Sequence, residues 1–315
     1  MTDLRKIGFL GPHATFTEEA LLGEADLTTC ELIPYGVMTD ALAAVERGEV
    51  DAAFVPIENA IEGTVNLTLD ALVFDHDLFI QREVVKRIVM NLLTPPGLAI
   101  RDVERVLTLP VAVAQCREWL LANAPGAEFV ATNSTADAAR IVGERAAADP
   151  LVRDAAVGPA LSAKLYGLEI AATDIEDHPD NATRFVLVQP NRIPAPTGHD
   201  KTSIVCFQRA DQPGSLHSIL GQFTARNINL SKLESRPTKA GLGNYCFIID
   251  FDGHIDDEVV FDCLRDLHAS LASLKFLGSY PAAGEHGAAI RRDAEESWRT
   301  ADDWARGLRG QIASK

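Results

Sequence analysis

The chain has 315 residues, with 29 Lys and Arg against 45 Asp and Glu, for a formal net charge of -16. Its 47% hydrophobic and 23% charged content is that of a folded protein, and the length suits two domains better than one core. Acidity without any basic run argues against a nucleic-acid or anionic-membrane partner, because neutralising phosphates takes clustered cations.

An anionic ligand would therefore need a local positive site, built from an Arg or from helix starts. The cysteines, Cys30, Cys116, Cys206, Cys246 and Cys263, are odd in number and scattered, with no CxxC pair. Neither a zinc site nor a redox pair is readable from them, and free core thiols in a reducing cytosol are expected. The first six residues lack the apolar stretch of a signal peptide, and no run approaches the roughly 18 apolar residues of a membrane span. The expectation is a cytoplasmic protein.

Along the first 190 residues, short apolar runs alternate with segments of helical period. Lys6 to Leu10 reads as a strand, and Val37, Met38, Ala41, Leu42 and Val45 share one helical face. Asp51 to Val55, Val106 to Thr108, Glu128 to Ala131 and Ala155 to Val157 are further strands. This alternation predicts a mostly parallel sheet flanked by helices. Neither GxGxxG nor GxxxxGK[ST] occurs, so no dinucleotide fingerprint or phosphate loop is present.

Residues 191–201 read as a linker, since Asn191 to Asp200 carries two prolines and a glycine. Beyond it come strand Thr202 to Phe207, helix Gly214 to Arg226, and strands Asn229 to Ser235 and Tyr245 to Phe251. Helix Asp256 to Ser270 and strand Lys275 to Tyr280 follow, so 202–281 has the βαββαβ order of a ferredoxin-like domain. Residues 282–315 form a polar tail, at most a loose amphipathic helix around Trp298 and Trp304.

Three segments carry chemistry. Gly11-Pro12-His13-Ala14-Thr15-Phe16 follows a strand, where Thr15 caps a helix and Glu18 completes a capping box. Read alone it is a turn; its helix start would also suit an anion. Pro56-Ile57-Glu58-Asn59-Ala60-Ile61-Glu62-Gly63 lies past a strand's carboxyl end, where open α/β sheets place ligands. Glu58 offers an acid and Asn59 a two-way hydrogen-bonding amide, though a solvated loop has the same composition. In Asn181-Ala182-Thr183-Arg184-Phe185, Arg184 is a fixed fork for a carboxylate or an ordinary surface ion pair. Ser134-Thr135-Ala136-Asp137 is a second, weaker capping signal. His178 and His254 have no partner at metal-ligand spacing and read as loop residues.

Taken together, GPxxTF, PIEN…G and NxTRF in this order resemble the prephenate dehydratase family. Pro213-Gly214-Ser215-Leu216 and Glu234-Ser235-Arg236-Pro237 resemble the phenylalanine-sensing motifs of that family's ACT domain. Ala163 to Leu168 and Gln115-Cys116-Arg117 also match family segments. The resemblance implies a bilobal, periplasmic-binding-protein-like catalytic domain that the chain crosses twice, followed by the ACT domain. It implies dehydration with decarboxylation of prephenate to phenylpyruvate, needing no cofactor or metal. Thr183 would donate to the leaving hydroxyl, Arg184 would hold a carboxylate, Glu58 would be the proton donor or positioner, and Asn59 would orient substrate. Thr15, Ser134 and Phe185 would line the substrate site. Gly214, Ser215 and Leu216 would close over phenylalanine as a feedback inhibitor, and Glu234, Ser235, Arg236 and Pro237 would come from the adjacent strand of a paired ACT domain within a homodimer or homotetramer.

Two positions depart from the family pattern: Ala14 stands in place of the usual Gly, and Ala60 in place of Ser. Ala14 is expected to resist a positive φ. Rival readings are arogenate dehydratase and a non-catalytic bilobal sensor. A chorismate mutase fusion is set aside because the first strand begins by residue 7.

Overall fold

The computed structural model describes residues 4–209, 212–239, 244–283, 300–301 and 303–311. Elements run β1 (Lys6–Leu10), α1 (Phe16–Leu22), β2 (Glu31–Tyr35), α2 (Met38–Glu46), β3 (Ala52–Asn59), β4 (Gly63–Thr64) and α3 (Asn66–Asp70). A π-helical turn, Ala71–Asp75, leads to β5 (Phe79–Arg87), β6 (Asn91–Thr94), β7 (Arg105–Thr108), α4 (Pro110–Gln115) and α5 (Arg117–Asn123). Then come β8 (Glu128–Ala131), α6 (Thr135–Ala148), β9 (Asp154–Gly158), α7 (Ala160–Tyr166), β10 (Glu169–Ala172) and β11 (Ala182–Gln189). The last stretch is β12 (Asp200–Phe207), α8 (Ser215–Thr224), β13 (Leu230–Pro237), β14 (Tyr245–Asp252), α9 (Glu258–Ser270) and β15 (Ser273–Pro281). Two compact units result: Met1–Ala71 with Val84–Leu187, and Leu72–Glu83 with Val188–Lys315.

The first unit is built on two sheets. One has the order β2-β1-β3-β11-β5, with β4 paired to β3; β1 runs parallel to both β2 and β3. Its strands are apolar because both faces are covered: Ile7, Phe9, Phe54 and Phe185 are fully buried or within 1% of it. Phe54 and Phe185 stack with centroids 5.3 Å apart, joining β3 to β11.

The other sheet has the order β10-β6-β9-β7-β8 and is mixed. β7 is parallel to β8 and β9, whereas β6 runs antiparallel to β9 and β10. Four of its strands, β7, β8, β9 and β10, run the same way, as the expected mostly parallel sheet requires, and β6 is reversed among them. β6 and β7 share this sheet and are joined by residues 95–104, which hold a 3-10 turn and no crossover helix, so β6 runs opposite to the other strands.

The chain crosses back at 173–181, so two crossings join the sheets. Those segments are tied together. Arg87 Nη2 donates to Asp174 at 2.7 Å and to Glu176 at 3.0 Å. The buried Glu176 carboxylate also accepts from Met90 N at 2.9 Å, and Ile88 N donates to Asn181 O at 2.8 Å. A buried carboxylate shared between a guanidinium and a backbone N–H is well satisfied.

The second unit contains the βαββαβ domain, an antiparallel sheet of order β13-β14-β12-β15. Ile204, Cys206, Ile249 and Phe251 face α8 and α9, where they meet Ile219, Phe223, Val260 and Leu267. The segment Leu72–Glu83 belongs to this unit: Phe79 packs edge-on against Phe276 at 5.6 Å, and Lys201 Nζ pairs with the buried Glu83 at 2.9 Å. Gly278 needs its missing side chain, since a Cβ there would stand 2.6 Å from Ile80 O. Of the tail, 303–309 are helical with Trp304 exposed, and Trp298 lies outside the described residues. Among the described residues no helix is long and apolar enough to cross a membrane.

Candidate active site

The site begins at the end of β3. Asn59 Oδ1 accepts from the backbone N–H of Ile61 at 2.9 Å and of Glu62 at 3.0 Å, closing a turn. Two donors on Oδ1 settle which way the amide points, so Nδ2 must donate. It reaches Asn181 Oδ1 at 2.9 Å, Thr183 Oγ1 at 3.0 Å and Ala182 O at 3.3 Å. The rest of the network follows from that orientation. With its oxygen engaged, Asn181 donates through Nδ2 to Gln115 Oε1 at 3.1 Å, and Gln115 Nε2 faces Glu62 Oε1 at 3.4 Å. The chain of amides thus starts and ends on the 59–62 turn. Thr183 Oγ1 receives a proton from Asn59, so its own hydroxyl hydrogen is left for an acceptor elsewhere.

Asn59, Gln115, Asn181 and Thr183 all line a cavity of about 240 Å³ in the first unit. Phe16, Ile88, Met90, Leu109, Val111 and Phe185 supply its apolar wall, and Glu62 is the sole ionisable side chain among the lining residues. Two helices also start there. Thr15 caps α1, accepting from Glu18 N at 3.3 Å, and Ser134 caps α6, accepting from Asp137 N at 2.9 Å. Neither forms the full expected capping box. The Glu18 carboxylate turns instead to His13 Nδ1 at 2.7 Å and Ala14 N, and Asp137 turns to Arg140 at 2.6 Å.

The expectation for Ala14 is overturned: its φ is +66°. Its N–H is held by Glu18, and its carbonyl accepts from the buried Ser162 Oγ at 2.7 Å, so partners on both sides hold a left-handed residue that is not glycine.

The sequence-predicted residues divide. Thr15, Asn59, Ser134, Thr183 and Phe185 meet at the cavity; Arg184 and Glu58 are not among the residues lining it. Side chains alternate along a strand, so with Thr183 and Phe185 facing the cavity, Arg184 between them faces away. It is nearly buried and pairs with Glu58 across neighbouring strands, Nη1 to Oε2 at 3.3 Å. The sequence motifs contain Asn181, Gln115 and Glu62 but assign them no role, and the structure adds them to the site. Gln115 is the one of the three that stands out in sequence, as a lone polar side chain at the end of the apolar run Val111–Ala114. The Cys116 thiol beside Gln115 is pushed up to about 12, by burial first and then by Asp177 and Glu176. Among the described residues no three His, Cys, Asp or Glu side chains group as a metal site.

In the second unit Gly214, at φ +87°, caps α8 from a conformation that suits glycine. With Ser215 and Leu216 it lines a cavity of about 410 Å³, joined by Gln208, Leu220 and Phe247. Glu234, Ser235, Arg236 and Pro237 lie on β13 and are absent from that lining; Glu234 stands 3.6 Å from Lys232 and 3.7 Å from Arg236.

The prephenate dehydratase family model matches residues 7–193, and the ACT domain model matches 202–269. A prephenate dehydratase of Mycolicibacterium vanbaalenii is 42% identical over 307 residues, covering 93% of this chain and 96% of that protein. The crystal structure of prephenate dehydratase from Arthrobacter aurescens in complex with L-Phe is similar with a TM-score of 0.87 and 40% identity, covering 96% of this chain and 99% of that one. GqqA, described as a novel type of quorum-quenching acylase, is 30% identical with a TM-score of 0.79, covering 89% of this chain and 98% of its own. With a family model spanning more than half of its length and near full-length relatives above 40% identity, the chain belongs to the prephenate dehydratase family.

Proposed function

We propose that this chain converts prephenate to phenylpyruvate in the cavity around Thr183, and that its second unit reports phenylalanine back to that reaction. The observation that carries the catalytic reading is the Asn59 amide on Thr183 Oγ1 at 3.0 Å. In the reaction the ring carboxylate leaves as carbon dioxide. Its bonding pair enters the ring as the opposite carbon–oxygen bond breaks, and the departing hydroxide takes up a proton to become water. A hydrogen bond to that oxygen counts most when charge has built up on it, so it lowers the barrier more than it tightens binding. Thr183, with its acceptor side occupied by Asn59 and its proton free, is the donor. A threonine hydroxyl is too weak an acid to give up its proton outright, so the final proton comes from solvent or from another acid.

No Lys or Arg lines the cavity, and prephenate brings two carboxylates. The starts of α1 and α6 and the Ser134 hydroxyl supply N–H and O–H donors in their place, while the Thr15 hydroxyl gives its proton to Leu10 O at 3.2 Å. The apolar wall takes the ring. Glu58 and Arg184 brace β3 against β11 behind the cavity. Phenylalanine occupies the cavity at the start of α8, L-Phe being the ligand of the Arthrobacter complex, and the working form is a cytoplasmic homo-oligomer.

The test is release of phenylpyruvate from prephenate, followed in the ultraviolet, by wild type and Thr183→Ala. Loss of a donor used only in the transition state lowers kcat by at least tenfold with KM little changed. A variant that keeps more than roughly a tenth of wild-type kcat removes Thr183 from this role.

A further inference from the structure

Gln208 follows the last residue of β12 and lines the same cavity as Gly214, Ser215 and Leu216. Its side-chain oxygen is shut from solvent and, among the described residues, accepts a hydrogen bond from no donor; it is the one such buried side-chain atom there. Buried polar atoms without partners are rare in folded proteins, and one at the wall of a ligand-sized cavity calls for a donor from the ligand. The cavity's other walls restrict what that ligand is. Among the described residues that line it none is acidic, so of these only neutral groups can accept from a cation. Leu216, Leu220 and Phe247 offer an apolar surface, and the first N–H groups of α8 open beside Gly214 for an anionic end.

Resting on the effector reading above, we propose that Gln208 is the acceptor for the α-ammonium group of the effector, and so decides that this sensor answers to an amino acid. A zwitterion with an apolar side chain satisfies all three walls at once. The corresponding keto acid, which is the reaction's own product, presents no donor to Gln208 and leaves its oxygen unpaired. Rejection of a ligand that lacks a needed donor is stronger than rejection by size, because the site's polar group stays buried without a partner. Feedback therefore waits for the amino-transfer step that consumes the product.

Calorimetry on the full chain with L-phenylalanine and with 3-phenylpropanoate, which differs only in lacking the ammonium, tests this. Wild type should prefer phenylalanine by at least about tenfold. Gln208→Leu, close in size, should lose about tenfold for phenylalanine and change by less than about twofold for 3-phenylpropanoate, so that the preference collapses. Gln208→Glu should bind phenylalanine at least as tightly as wild type. Prephenate turnover without effector, unchanged in both variants, shows that the fold is intact. A Gln208→Leu protein that binds phenylalanine with the full wild-type preference overturns the role of Gln208 while leaving the effector site standing. If wild type binds neither compound, the effector reading falls and this proposal with it.

Discussion

Replacing Asn59 by Asp exchanges an NH₂ for an oxygen and leaves the shape of the side chain unchanged. One oxygen of the new carboxylate still accepts from Ile61 N and Glu62 N, so the turn is kept. The other now faces Asn181 Oδ1, Ala182 O and Thr183 Oγ1, all of which had received the amide's protons at 2.9 to 3.3 Å. Two carbonyl oxygens lose a donor, and at about 1 kcal/mol each the stability cost is about 2 kcal/mol. For a unit of this size that lowers Tm by roughly 4 to 8 °C. Thr183 behaves differently, because a hydroxyl both donates and accepts. Beside a carboxylate it rotates to donate, and the proton that should meet the leaving hydroxyl points to that carboxylate instead.

The expected result for Asn59→Asp is a folded protein with kcat down by roughly 10² to 10³, the range found when one transition-state donor is removed, and KM for prephenate within about threefold. Asn59→Ala separates the two effects. It removes the turn's acceptor and so costs more stability, yet leaves the Thr183 proton free to reach substrate, so its kcat should exceed that of Asn59→Asp. Steady-state kinetics beside thermal unfolding of both variants decides it. An Asn59→Asp enzyme with kcat within threefold of wild type would refute the argument that Asn59 sets the direction of the Thr183 proton.

Two further outcomes follow from the same structure. Arg184→Lys, which keeps a charge near Glu58 but loses the guanidinium geometry, should cost about 1 kcal/mol in urea denaturation and leave KM for prephenate within about twofold; a tenfold rise in KM would put the guanidinium on substrate. Burial, the leading cause for each, holds the Cys116, Cys206 and Cys263 thiols up at about 12, against an ordinary value of 9.0. Between those values the unfolded chain has lost protons that the folded chain keeps. Their contribution is therefore complete below pH 9 and is lost as pH rises toward 12, by up to about 1.4 kcal/mol per thiol per pH unit. Urea midpoints at pH 8 and pH 10 check the sign, and a midpoint that does not fall at pH 10 sinks the assignment.

Much of this protein was legible in order and spacing alone. The ferredoxin-like half could be read because its strands and helices are short, strongly periodic and locally closed, and because the proline-rich stretch at 191–201 separates it from what precedes. Three motifs sufficed to point to the family, and Thr15, Asn59, Ser134, Thr183 and Phe185 do converge on one cavity. What the sequence could not supply is direction. Whether Arg184 faces the cavity depends on the facing of β11, and one residue along a strand reverses that facing. The reversal of β6 in the second sheet depends on how it is joined to β7, and nothing within Asn91–Thr94 records that direction. Ala14 takes a left-handed conformation because Glu18 and Ser162, the latter 148 residues distant in sequence, grip its two sides. The chain of amides from Glu62 through Gln115 and Asn181 to Asn59, and the unpaired oxygen of Gln208, exist only once distant segments have met. A polar side chain acquires its chemical role from the partner it finds or fails to find, and only the folded chain brings those partners within reach.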